Sequence, residues 1–131
     1  MFEDVFNVDT VSGYGGRYNG KQHVVSGFTW CIRVFNSSSL YVRLNLNDVE
    51  DKSITSCKVD VTYKVINKTD DRQSVVKQCN ETVVPGGGRS YWYTDIIDLK
   101  TLCNHVSGFI DDYRYFTIQT TINNITDIKR R

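Results

Sequence analysis

The chain has 131 residues, 40% hydrophobic and 24% charged, which suffices to bury a continuous core in one domain and leaves little room for a second. Sixteen Lys and Arg against 15 Asp and Glu give a formal net charge of +1, so no overall field marks a nucleic-acid or membrane partner. No stretch approaches the roughly 20 apolar residues a membrane helix needs, and Met1-Phe2-Glu3-Asp4 lacks the basic start and apolar run of a signal peptide, so the chain reads as soluble and unprocessed.

With one proline, nine glycines and no long helical pattern, strands must build the fold. Phe2 to Val8 reads as an edge strand, and Ser12 to Gly20 as a glycine-rich loop. From Phe28 to Phe35, the residues Phe28, Trp30, Ile32 and Val34 share one face while Thr29, Cys31 and Arg33 share the other. The polar turn Asn36 to Ser39 leads into a second run, in which Leu40, Val42, Leu44 and Leu46 alternate with Tyr41, Arg43, Asn45 and Asn47. These two runs predict a hairpin. Cys57 to Ile66 keeps the same period, with Cys57, Val59, Val61, Tyr63 and Val65 on one face, and ends at the polar turn Asn67 to Arg72. Ser74 to Val84 predicts the next strand and runs into Pro85-Gly86-Gly87-Gly88, a loop sequence that a central strand excludes. Tyr91 to Leu99 reads as extended, Leu99 to Val106 as one helical turn, and Phe116 to Ile122 as a final alternating strand. Lys129, Arg130 and Arg131 read as a solvated basic tail.

About seven or eight short strands with almost no helix predict an all-β fold, an antiparallel β-sandwich. One domain is expected over residues 1–131, with its core at about 5–125 and no internal repeat or linker.

No constellation for catalysis stands out. His23 and His105 lie near no nucleophile elbow, zinc helix or carboxylate pair, and Gly86-Gly87-Gly88-Arg89 lacks the Gly-Lys-Ser/Thr ending and the following helix of a phosphate loop. Asp111 and Asp112 point in different directions from adjacent positions and read as a solvated loop. The expectation is therefore a non-enzymatic protein with no cofactor and no metal. Cys31, Cys57, Cys79 and Cys103 form no Cys-x-x-Cys pair. They fit either packed reduced thiols or two disulfides in an oxidising compartment. Four sequons, at Asn36, Asn67, Asn80 and Asn124, exceed chance modestly and keep an extracellular reading open.

Several of these strands carry words of a known family. Thr29-Trp30-Cys31-Ile32-Arg33-Val34 resembles the Lys-Trp-Cys-Leu-Arg-Val strand of MATH (TRAF-like) domains in BTB-type ubiquitin-ligase adaptors. Leu40-Tyr41-Val42-Arg43-Leu44-Asn45-Leu46 is similar to the Tyr-Leu-Ser-Leu-Tyr-Leu strand that follows it. Val59 to Asn67 resembles the family's long strand, Tyr91-Trp92-Tyr93 stands where Trp-Gly-Phe is usual, and Gly108 to Ile122 is similar to the family's ending. The resemblance spans about Phe6 to Ile125, with the divergence of nematode-type MATH expansions.

The resemblance implies a module that holds a short extended peptide of another protein in a shallow groove, with aromatic side chains gripping an apolar residue. Carried over by position, that groove falls at Arg43, Asn45, Val61, Arg89, Tyr91 and Tyr93. Asn45 stands where the family has tyrosine, Val61 where it has phenylalanine, and Trp92 where it has glycine, so two aromatic walls are replaced and bulk is added. Arg43 and Arg89 suit a carboxylate or phosphate on the peptide. Without the resemblance, Arg43 and Asn45 read as solvated polar residues, and Tyr91 to Tyr93 as part core and part surface. The implied role is a cytoplasmic or nuclear adaptor that recruits substrates to a ubiquitin ligase through a further domain or chain, with oligomeric state open. A secreted, glycosylated, disulfide-linked recognition or structural sandwich is the alternative.

Overall fold

Alternating apolar residues give each strand one face to bury, and two sheets meeting on those faces satisfy all of them at once. The structure, a computed structural model, describes residues 1–11, 16–86 and 93–131. Its strands in chain order are β1 (Phe2–Asn7), β2 (Arg17–Asn19), β3 (His23–Val25), β4 (Phe28–Asn36), β5 (Ser39–Val49), β6 (Ile54–Val65), β7 (Val75–Val83), β8 (Thr94–Asp98) and β9 (Tyr115–Arg130). Two short helices, α1 (Val8–Val11) and α2 (Leu99–Cys103), lie in connections. One sheet has the order β1-β9-β6-β7, and the other runs β2-β4-β5-β8 with β3 also on β4, every pairing being antiparallel. This is the sandwich the alternation predicts.

The differences from the sequence reading have local causes. β2 occupies the end of the glycine-rich segment expected as loop, and β3 precedes the first clear run. Each is three residues long, too short to show a period, and is held by hydrogen bonding to β4. β9 continues far beyond Ile122, because its later residues pair with β6 through backbone groups that need no apolar side chain. Asn123 falls at a register shift between Asp60 and Val61 and donates to Thr62 Oγ1 at 2.7 Å, which is where the alternation stops being readable. The basic tail is thus part of a strand: Arg130 Nε lies 3.1 Å from Asp51 Oδ2, and the Arg131 N–H donates to the Ser53 carbonyl at 3.0 Å.

Between the sheets, Trp30, Ile32 and Val34 of β4 and Leu40, Val42, Leu44 and Leu46 of β5 face Val59, Val61, Tyr63 and Val65 of β6. Val61 requires a correction. Its side chain is 0% exposed and belongs to the core, so it cannot wall an open peptide groove.

Polar side chains close the margins. Asp4 of β1, buried, accepts from the Lys21 N–H at 2.8 Å and lies 3.2 Å from His23 Nε2, tying one sheet's edge to the other's. Asn67, also buried, donates to the Ser107 carbonyl at 2.7 Å and accepts from the backbone N–H groups of Thr69 and Asp70. Gly108 closes this knot at φ +90°, where a Cβ would sit 2.6 Å from Asn67 Oδ1. Gly108→Ala is therefore expected to lower stability by about 1–2 kcal/mol in denaturant titration. An unchanged midpoint would show that the Asn67 knot yields freely.

The four cysteines are all unpaired. Cys57 and Cys79 lie on adjacent strands but four residues out of register, roughly 13 Å along the strand, beyond the reach of a disulfide. Of the sequons, Asn36 and Asn67 are buried while Asn80 and Asn124 are exposed. Among the described residues no helix is long and apolar enough to cross a membrane.

Candidate functional site

The β4–β5 hairpin sends its apolar residues inward, which leaves Cys31, Arg33 and Phe35 of β4 and Tyr41, Arg43 and Asn45 of β5 on the outer face. Register puts Phe35 opposite Tyr41 and Arg33 opposite Arg43. β2 adds Arg17 opposite Phe35 and Asn19 opposite Arg33, and Arg33 Nε donates to Asn19 Oδ1 at 2.9 Å. Tyr93, just before β8, completes the group: its ring centroid is 5.6 Å from that of Phe35, which is 6.0 Å from that of Tyr41. The Arg17 guanidinium lies 5.1 Å from the Phe35 centroid and that of Arg43 5.3 Å from the Tyr93 centroid, both within cation–π range. Together Arg17, Arg33, Phe35, Arg43 and Tyr93 line a shallow cavity of about 490 Å³.

A buried polar chain supports this shelf. Arg43 Nε donates to Asn45 Oδ1 at 2.9 Å, Asn45 Nδ2 donates to Cys31 Sγ at 3.9 Å, and the Cys31 thiol donates to Asn47 Oδ1 at 3.5 Å. Arg43 and Asn45 are only 8% and 6% exposed, so neither is the solvated residue that strand alternation alone suggests. Asn45 acts from below by orienting Arg43.

To one side, β5 extends past the end of β8, and β7 of the opposite sheet comes close to it. Glu81 of β7 accepts from the Tyr63 hydroxyl at 2.5 Å and from the Leu44 backbone N–H. Burial pushes the Glu81 carboxyl up to about 7, against the opposing pull of these two donors and of the Arg43 charge. Tyr63 is raised well above its ordinary value by burial and by Glu81. Cys79 Sγ meets Thr94 Oγ1 at 3.5 Å on the same seam.

Of the residues expected to bind peptide, Arg43 and Tyr93 come together, Asn45 lies beneath them and Val61 lies in the core. Arg89 and Tyr91 lie outside the described residues. Arg17, Arg33, Phe35 and Tyr41 escaped the sequence reading as site residues. Alternation already put Arg33 on the face opposite Trp30, whereas nothing periodic pointed to Arg17. His23 stacks on Phe2 at 4.2 Å beside Asp4, and Asp111 accepts the Tyr113 and Tyr115 backbone N–H groups at 2.9 Å each, so both are occupied in holding loops and edges.

Chemically, the shelf offers flat rings for an apolar or aromatic group and guanidinium donors for an anion. No protein-family model and no curated protein matches this chain.

Proposed function

We propose that the chain is a peptide-recognition module of the MATH (TRAF-like) type, which holds an extended segment of another protein on the outer shelf of β4, β5 and Tyr93. The observation that carries this reading is the cluster of half-buried rings, Phe35, Tyr41 and Tyr93, of which Phe35 and Tyr93 line an open shallow cavity together with three guanidinium groups. An extended ligand presents alternate side chains at about 6.6–7 Å intervals, so one can stack on the rings while its neighbours reach polar groups. The strands that build the shelf are those whose sequences resemble the MATH pattern, Thr29 to Val34 and Leu40 to Leu46. On that resemblance, the role is substrate recognition for a ubiquitin ligase, with recruitment supplied by a further domain or chain. The secreted, disulfide-linked alternative is the weaker one, since the thiols are unpaired and two of the four sequons are buried.

Binding to a degenerate peptide array tests the reading. Tyr93→Ala is expected to weaken the peptides selected by the native protein by about 1–2 kcal/mol, roughly 5- to 30-fold in Kd, with an unchanged thermal midpoint. Equal affinity in both proteins would remove the shelf as the binding surface.

A further inference from the structure

Arg33 and Arg43 stand directly opposite each other on adjacent strands and on the same face, a placement that costs stability because like charges repel at cross-strand distance. Arg17 brings a third guanidinium to the same cavity from β2. Compensation is uneven. Arg43 lies within the influence of the Glu81 carboxylate. Among the described residues, Arg17 and Arg33 form no ion pair, their contacts being the Phe35 ring and the Asn19 amide oxygen. Asp95, on β8 opposite Tyr41, forms no ion pair with either. Elsewhere Lys52, Lys58, Lys64, Lys68, Arg72, Arg114 and Arg130 are each matched to an aspartate. Lys21, Lys77, Lys100, Lys129 and Arg131 are likewise without an ion pair among the described residues. Arg17 and Arg33, however, line one cavity together with Arg43 and the rings of Phe35 and Tyr93, so two unmatched guanidinium groups meet on the open shelf.

We propose that Arg17 and Arg33, beside Arg43, form a phosphate-binding subsite that takes a phosphorylated side chain of the bound peptide while a neighbouring apolar residue stacks on Phe35 and Tyr93. This rests on the peptide-binding reading above and names its ligand class. Phosphate suits the subsite better than a carboxylate does. A phosphoserine carries about −1.5 to −2 charges and three acceptor oxygens, enough to bridge two guanidinium groups, whereas a carboxylate carries one charge. The planar guanidinium forks give such contacts directionality that lysines would lack. Bound phosphate also offsets the Arg33–Arg43 repulsion, which makes the costly pairing intelligible as a site.

The test uses three degenerate peptide arrays, identical except for a fixed central phosphoserine, glutamate or serine. They are read with the native chain, an Arg17→Gln/Arg33→Gln variant and a Lys100→Gln control at an exposed position away from the shelf. Native protein and control are expected to bind the phosphoserine array roughly 10- to 100-fold more tightly than the serine array, and the double variant to fall to the serine level. The thermal midpoint of the double variant should be no lower than that of the native chain, because removing the Arg33 charge relieves its repulsion with Arg43, and this separates lost binding from lost fold. Equal binding of the phosphoserine and serine arrays overturns the subsite while leaving the peptide-binding reading in place. Glutamate equal to phosphoserine overturns phosphate in favour of a carboxylate. Binding to none of the arrays overturns both. Complete reversal by inorganic phosphate at millimolar concentration, with no preference among apolar neighbours, also overturns the proposal, because the surface would then hold a free anion.

Discussion

Trp30→Ala is expected to lower the unfolding free energy by about 3–5 kcal/mol, the range typical of removing a large aromatic side chain from a core. Trp30 is 1% exposed, sits opposite Leu46 of β5 and stacks on Phe28 with centroids 5.7 Å apart. It fills the space between the sheets close to a register shift at Thr29/Trp30, where the backbone is already committed to a local kink and has little freedom to collapse inward. The change removes the transfer free energy of the indole and leaves a void whose lining atoms lose dispersion partners. A domain of this size has only about 5–15 kcal/mol to lose, so a large part of the margin disappears. Denaturant titration followed by circular dichroism measures it, and Trp30→Phe should recover more than half. A loss below about 1 kcal/mol would mean that the sheets close over the gap, contrary to the packing described.

The second large effect is a dependence of stability on pH that runs opposite to the usual one for carboxylates. In the folded protein Glu81 has its carboxyl raised to about 7, against an ordinary 4.5. The folded state therefore binds this proton more tightly than the unfolded chain does. That contribution is fully present below pH 4.5 and is lost as pH climbs to 7 and beyond. At 1.36 kcal/mol per unit, reduced because the residue keeps some contact with water, the swing amounts to about 2–3 kcal/mol. Glu81→Gln keeps the shape and removes the titration. The variant should match the native chain near pH 4.5 and exceed it in thermal midpoint at pH 8. Tyr63→Phe deletes a donor to the carboxylate, so it should deepen the native chain's loss at pH 8. Parallel stability curves for native chain and Glu81→Gln from pH 4.5 to 8 would show that Glu81 is not the group responsible.

The fold was legible where apolar residues alternate at period two. Trp30-Ile32-Val34, Leu40 to Leu46 and Val59 to Val65 each announce a face, and the structure buries those faces together. β2 and β3 were illegible because three residues carry no period and their positions are fixed by β4 rather than by their own side chains. Half of the site follows the same logic. Arg43 and Tyr93 came from the resemblance and are found side by side, but Val61 did not transfer, since its inward phase on β6 follows from strand register. Arg17 belongs to a segment without periodic signal, and only β-pairing brings it to Phe35. The raised carboxyl of Glu81 was equally hidden. A glutamate within a polar run gives no hint that it will turn inward opposite Val59 and end against the Leu44 N–H of the neighbouring sheet.

β7 is the last strand of its sheet, and its outer backbone edge has no strand partner among the described residues. Such an edge is a template on which a second chain can add a strand and start polymerising. Here the residues of β7 on the inward side of the pleat include Lys77, opposite Tyr63, and Glu81, opposite Val59. Glu81 is already engaged by the Tyr63 hydroxyl and the Leu44 N–H, whereas Lys77 stays exposed, so an incoming strand that continued the sheet would have to lie against a cation. The edge thus carries an exposed cation that discourages a second chain from extending the sheet, one of the devices by which an open strand is kept from self-assembly.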